Sequence, residues 1–162
     1  MLTMLRDLIA HKGHANASFL AVVRGNAHAA ADPEVLELLH HILIANRFWI
    51  CAVRRVPFVA DEEMNVAREV EALSRAYLKT HEEETAWLAS AIGDDCSAVL
   101  EHPLIPGGRC SVAQALMQVC LHSHGHRAQL AKVLRRHEIV PPQSDFIVWL
   151  HDRSPPLGAP PL

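Results

Sequence analysis

The segment CLHSHGHRAQLAKVLRRHE, residues 120–138, places four histidines in a stretch that otherwise reads as one long helix. His122 and His126 are four residues apart, so they share one face of that helix, with Cβ atoms about 5–6 Å apart. Two imidazoles at that spacing can meet a single cation at about 2.0–2.1 Å each. By the 3.6-residue period they fall on the stripe marked by Val112, Leu116, Val119, Leu130 and Val133, which is expected to face inward. His124 falls on another face. Gly125, a poor helix residue, could leave room at a crowded helix crossing. Two facing imidazoles gain little from each other without a cation. The bland alternative is a pair of half-buried histidines bonded to ordinary neighbours, and the spacing alone leaves both open.

A third histidine comes from LELLHHILIANRFW, residues 36–49. His41 lies on the line of Leu38, Ala45 and Phe48 and is expected inward. His40 shares a mixed line with Leu36, Glu37, Ile44 and Arg47 and is expected at the boundary. Three neutral nitrogens from His41, His122 and His126 would leave a coordination position open, the arrangement of catalytic rather than structural sites. His124, His137 and Glu138 are the nearby general-base candidates in sequence, each otherwise a solvated helix residue. Gln129, one turn past His126, could orient a ligand. Arg127 is expected off the inward stripe, in a surface ion pair worth about 0–1 kcal/mol.

Other chemistries find no motif. A di-iron bundle needs two E-x-x-H motifs, and Glu37–His40 is the only match. HEEET at 81–85 lacks the second histidine of H-E-x-x-H, and no P-loop, G-x-S-x-G or G-x-G-x-x-G occurs. Cys51, Cys96, Cys110 and Cys120 are scattered, which fits reduced thiols and a cytoplasmic setting better than a disulfide framework.

Four helices must position these residues. The first is expected over 2–29, weakened at Gly13. Asp32 and Pro33 start the second, running to about 55, where Pro57 stops it. Asp61 opens the third, with Glu62 and Glu63 in its first turn, continuing to about 91. Residues 93–110 read as a loop with turn residues at Pro103, Pro106, Gly107 and Gly108. Ser111 and Gln114 form a capping box for the fourth helix, about 112–137. SDFIVWL (144–150) is expected to pack back on the helices, and no segment alternates like a strand. Trp49 and Trp87 read as packing residues, and Trp149 as packing, pocket wall or dimer contact. The fold class is therefore all-α, a four-helix bundle with a short C-terminal segment, in one domain over 1–152 with a Pro-rich tail at 153–162.

The totals agree with this. The chain has 162 residues, half of them hydrophobic, enough for one core. Its formal charge of −3 argues against nucleic acid as a partner. No apolar run approaches the roughly 20 residues of a membrane span, and the N-terminus lacks a secretory pattern. Its 12 histidines nearly match its 15 Lys and Arg, a bias toward metal.

The order of these elements resembles the DinB-like (DinB/YfiT) superfamily of bacterial metal-binding four-helix bundles. The likeness rests on LLHHILIANRFW, then H-x-x-x-H-R-x-Q, then Leu-Arg-Arg, a double Pro and an Asp before a short apolar stretch, with HKGHANASFL similar to the family's opening helix. It covers nearly the whole chain to about residue 150. The resemblance implies a divalent metal, zinc or nickel foremost and iron next, on His41, His122 and His126. It implies a small-molecule substrate, with a low-molecular-weight thiol as cosubstrate of an S-transferase, or hydrolysis. A homodimer is implied as well. The alternative is a non-catalytic, metal-binding stress-response bundle. Ala128, where many members have Gly, and His137-Glu138, where a Gly-rich turn is common, depart from the pattern near the expected pocket mouth.

Overall fold

The computed structural model describes residues 1–153, and the expected tail at 153–162 lies outside them apart from Arg153. The described chain is mostly helical. In order it forms α1 (Leu2–Arg24), α2 (Ala27–Ala31), α3 (Pro33–Arg54), α4 (Ala60–Met64), α5 (Val70–Ser90), a 3-10 turn (Gly93–Ser97), β1 (Val99–Glu101), β2 (Arg109–Ser111), α6 (Val112–Arg136) and α7 (Phe146–Asp152). α1 and α3 each pack against both α5 and α6.

Helix starts follow local chemistry. Asp32 Oδ1 accepts from the backbone N–H of Glu34 at 2.7 Å and of Val35 at 3.3 Å, ahead of Pro33 at the first helical position. Ser111 and Gln114 make the reciprocal capping box of α6, with bonds of 2.8 and 3.2 Å. Three expectations need correction. The first helix ends at Arg24, and Asn26 caps the separate α2 through Oδ1. The expected third helix is split: Asp61–Glu63 belong to the five-residue α4, and α5 starts only at Val70. No Gly or Pro causes that break. Arg47 holds Glu63 with two bonds of 2.7–2.8 Å, and Arg68 holds Glu37, so the linker is tied to α3. Last, residues 93–110 are not all loop. β1 and β2 pair antiparallel with Leu100 opposite Cys110, and Gly107 and Gly108 take φ near +78° in the turn between them.

The core has two apolar clusters. One holds Phe19, Leu39, Leu43, Tyr77, Leu130 and Leu134, and the other holds Ile9, Ile50, Leu88, Leu100, Val112 and Leu116. Between them, in sequence order on every long helix, sit buried polar residues: Lys12 and Asn16 on α1, Asn46 on α3, Thr80 and Glu84 on α5, Ser123 and Arg127 on α6. The clusters also fix chain direction. α1 and α6 run from the second cluster to the first, whereas α3 and α5 run from the first to the second. The α3–α5 linker must therefore travel back along the length of α3, which explains its ties at Arg47 and then Glu37.

Among the described residues α3 is the one helix long and apolar enough, by length and composition, to cross a bilayer, contrary to the expectation that no such run exists. Here its apolar face, Leu39, Ile42, Leu43 and Ile50, is buried against the other helices. α7 packs on α1, with the His11 ring edge-on to Phe146 and Trp149 at 5.4 Å each and His11 Nε2 donating to the Ser144 carbonyl at 3.0 Å. Trp49 and Trp87 are half-buried against the second cluster.

Candidate metal centre

His41, His122 and His126 converge. His41 Nε2 lies 3.2 Å from His122 Nε2 and 3.1 Å from His126 Nε2, and the ligand atoms of all three are within 4.8 Å of one another. No fourth His, Cys, Asp or Glu joins them among the described residues. The helices that present them are held close beneath the rings. Ser123 Oγ, beside His122, donates to Asn46 Oδ1 on α3 at 2.9 Å, and both residues are fully buried.

The faces differ from those expected. The buried stripe of α3 is Val35, Leu39, Ile42, Leu43, Asn46 and Ile50, with His40 inside it at 1 % exposure. His41 is the exposed member of the pair, on the shoulder of that stripe. On α6 the buried stripe runs through Val119, Ser123, Arg127 and Leu130, and His122 and His126 are half-buried on its shoulder. The inward and boundary roles of His40 and His41 are thus reversed. Two neighbouring shoulders meeting at the surface still bring the three rings together, and leave one side of the cluster open to solvent.

These residues fit a divalent cation. Tetrahedral ligands at about 2.0–2.1 Å from an ion lie about 3.3 Å apart, close to the separations found. The protonation pattern argues the same way. Gln129 Oε1 faces His126 Nδ1 at 2.8 Å, so that nitrogen carries the proton and Nε2 turns a bare lone pair into the cluster. One N–H from His41 can serve only one of its two neighbours well, so at least one ring nitrogen stays unmatched unless a cation serves all three. Burial, then the neighbouring His126 and His41, pushes the His122 pKa down to about 4. Burial and His126 likewise lower His41, against the raising effect of Glu37. Neutral imidazoles are the form that ligates.

The other sequence candidates stay away. His124 is exposed on another face of α6. His137 is bonded to Asp32, at the far end of α6, about 16 Å from His126 at about 1.5 Å rise per residue. Glu138 takes φ +60° just past the helix end. Gly125 does not relieve a crossing, since a Cβ built there meets nothing within 4 Å. Arg127 is not in a surface ion pair. It is 2 % exposed and donates to Asn16 Oδ1 at 2.7 Å, with its pKa lowered by burial to about 10.

Sequence reasoning also missed the Lys12–Glu84 pair, both side chains 2 % exposed. Burial pushes the Glu84 carboxyl up, but Lys12 and His81 outweigh it and hold the group below its ordinary value. The only advance signal was helical spacing, with Lys12 three residues past Ile9 and Glu84 four residues before Leu88. No family model matches the chain, and no curated protein matches it.

Proposed function

We propose that the protein is a metal-dependent enzyme of the DinB-like kind, a four-helix bundle whose three-histidine centre acts on a small electrophilic molecule with a thiol cosubstrate. The observation that carries this reading is the convergence of three Nε2 atoms at 3.1–3.2 Å, with Gln129 fixing the tautomer of one. Element order and the up-down-down-up run of the long helices support the bundle assignment. A divalent ion here would supply Lewis acidity, lowering the pKa of a bound thiol or water.

The chain's own residues do the rest. Burial keeps His41 and His122 neutral, and Gln129 keeps His126 aimed. The Asn46–Ser123 bond sets the distance between the two helices. The exposed side at His41 gives the approach. Among the described residues no carboxylate or further histidine stands within the cluster to take a proton, which favours a thiol, acidic enough to ionise at a metal without a protein base, over hydrolysis. The same absence favours the second reading, a bundle that binds metal without turnover. The proposed setting is cytoplasmic and the proposed assembly a homodimer.

The test is elemental analysis of the purified protein beside His122→Ala, then assays of low-molecular-weight thiols with electrophilic substrates. The proposal expects about one divalent ion per chain in the wild type, little in the variant, and thiol consumption that a chelator stops. Equal metal in both proteins removes the centre. Metal without any thiol turnover leaves the non-catalytic reading.

A further inference from the structure

On the side of the polar layer formed by α1, α3 and α5 the chain forms a pocket of about 270 Å3, open to solvent past Ala17 and Leu78, and none of the three clustered histidines lines it. An apolar cavity of about 150 Å3 already holds benzene, so there is room for a one-ring molecule. Its walls divide by chemistry. Ala17, Leu20, Tyr77 and Leu78 give an apolar wall, and Ser74 and Glu84 give a polar one. The polar wall is incomplete. Glu84 is 2 % exposed, and while Oε1 receives Lys12, Oε2 has no hydrogen-bond partner. His81 Nδ1 lies 3.7 Å from that oxygen, beyond hydrogen-bond reach, and is itself without a hydrogen bond. Ser74 Oγ is buried and unpartnered as well. A buried carboxylate oxygen left bare is costly, and native structures usually give it a donor.

We propose that this cavity is a second small-molecule site, for an uncharged ligand with an apolar body and one hydrogen-bond-donating head. The donor would reach Glu84 Oε2, with Ser74 Oγ beside it, and the body would lie along Leu20 and Leu78. Charge selects against the alternatives. Lys12 on the polar wall, Arg24 on the lining and Arg127 behind Asn16 oppose a cation, and the bare oxygen of Glu84 opposes an anion. Gly13 is part of the construction. A Cβ at that position would lie 2.3 Å from His81 Cε1, so only glycine lets the His81 ring close against α1. The site is linked to the histidine centre through Asn46, which lines the cavity and also bonds Ser123. Binding there does not depend on the metal.

The probe is phenol, with toluene, benzoate and benzylammonium as comparisons, titrated into the full chain by calorimetry and amide NMR shifts, with and without a chelator. Phenol is expected to saturate, and toluene to bind about tenfold more weakly for want of the bond to a carboxylate. Ser74→Leu fills the cavity, and Ala17→Phe closes it from an exposed position without disturbing the buried layer. Both are expected to abolish phenol binding while metal content and helicity stay at wild-type levels. The inference is overturned if phenol does not saturate, if Ala17→Phe leaves it unchanged, if either charged probe binds more tightly, or if chelation removes it. The last result would assign phenol to the histidine centre instead. Loss of metal binding in His122→Ala, by contrast, leaves this test untouched.

Discussion

At mid-height the long helices carry two polar regions built on opposite rules. Inside, Lys12 meets Glu84 and Arg127 meets Asn16, so donors face acceptors and opposite charges pair. On the α3–α6 shoulder, three like groups face one another, and none completes the others. The interior pairs offset much of their own desolvation and leave only single atoms, Glu84 Oε2 and Arg127 Nε, without a partner among the described residues. The histidine cluster is stable in its present geometry only because the helices force it, and a cation would satisfy it. The difference shows what to look for in a ligand site: polar groups converging without complementarity.

The largest effect tests the interior half of that comparison. Glu84→Leu leaves Lys12 buried and unpaired and is expected to cost about 3–5 kcal/mol by urea unfolding. Lys12→Met with Glu84→Leu removes both charges and should recover most of the loss. A single substitution costing under about 1 kcal/mol would mean the pair is not desolvated as described.

His122→Ala tests the other half. Zinc at about 100 times its Kd adds about 2.7 kcal/mol to a site present only in the folded state, raising Tm by about 5–10 °C in a chain of this size. In the variant that rise is expected to vanish while metal-free stability changes little, since the ring is half-buried and makes no good bond. Acid separates the regions further. Protons compete with the metal for the ring nitrogens, and burial lowers His41 and His122, so metal is lost only as pH falls well below the ordinary histidine value of about 6.5. The Glu84 carboxyl is held below its ordinary 4.5, so the folded chain binds fewer protons than the unfolded one. Its stabilisation is present above about 4.5 and is lost as pH falls through the lowered folded value. Metal release followed at lower pH by unfolding is the expected order, read by a metal-indicator dye and circular dichroism. A single merged step would show the two regions to be one.

The histidines were legible in the sequence for a simple reason. Spacing of four on a helix survives a modest error in the direction of the stripe, so His122 and His126 stay together whether on the floor or the shoulder. The helix starts at Asp32-Pro33 and Ser111 were legible because capping is local. The direction of the stripes was not. Asn46, Ser123 and Arg127 lie at its centre but read as surface residues, and half-buried Leu36 and Leu38 flank it with apolar weight on the wrong side. The Lys12–Glu84 pair joins residues far apart in the chain, so no window contains it. The break before Val70 is set by Arg47–Glu63 and Glu37–Arg68, contacts with no local signature. The strands of the hairpin are three residues long, too short to show alternation.

Gln129→Leu asks how much of the cluster's readiness comes from aim. The variant keeps the three ligands and removes the acceptor at His126 Nδ1. Loss of such an outer partner typically costs 10–100-fold in metal affinity, so about 10-fold or more is expected by competition with a chelating dye. No change would place the work of orientation in helix packing alone.

Gly125 gives the smallest and cleanest separation of site from scaffold. It lies between the two α6 ligands, where a requirement for glycine would mark a close approach. Nothing comes within 4 Å of a Cβ built there, and its φ is not among the positive ones. The residue therefore contributes only unfolded-chain entropy and a weak helix. Gly125→Ala is expected to stabilise the protein by about 0.5–1 kcal/mol in urea, with zinc affinity unchanged within about twofold. Stabilisation with lower affinity would mean that metal binding draws on a softened α6, and would place helix flexibility inside the site.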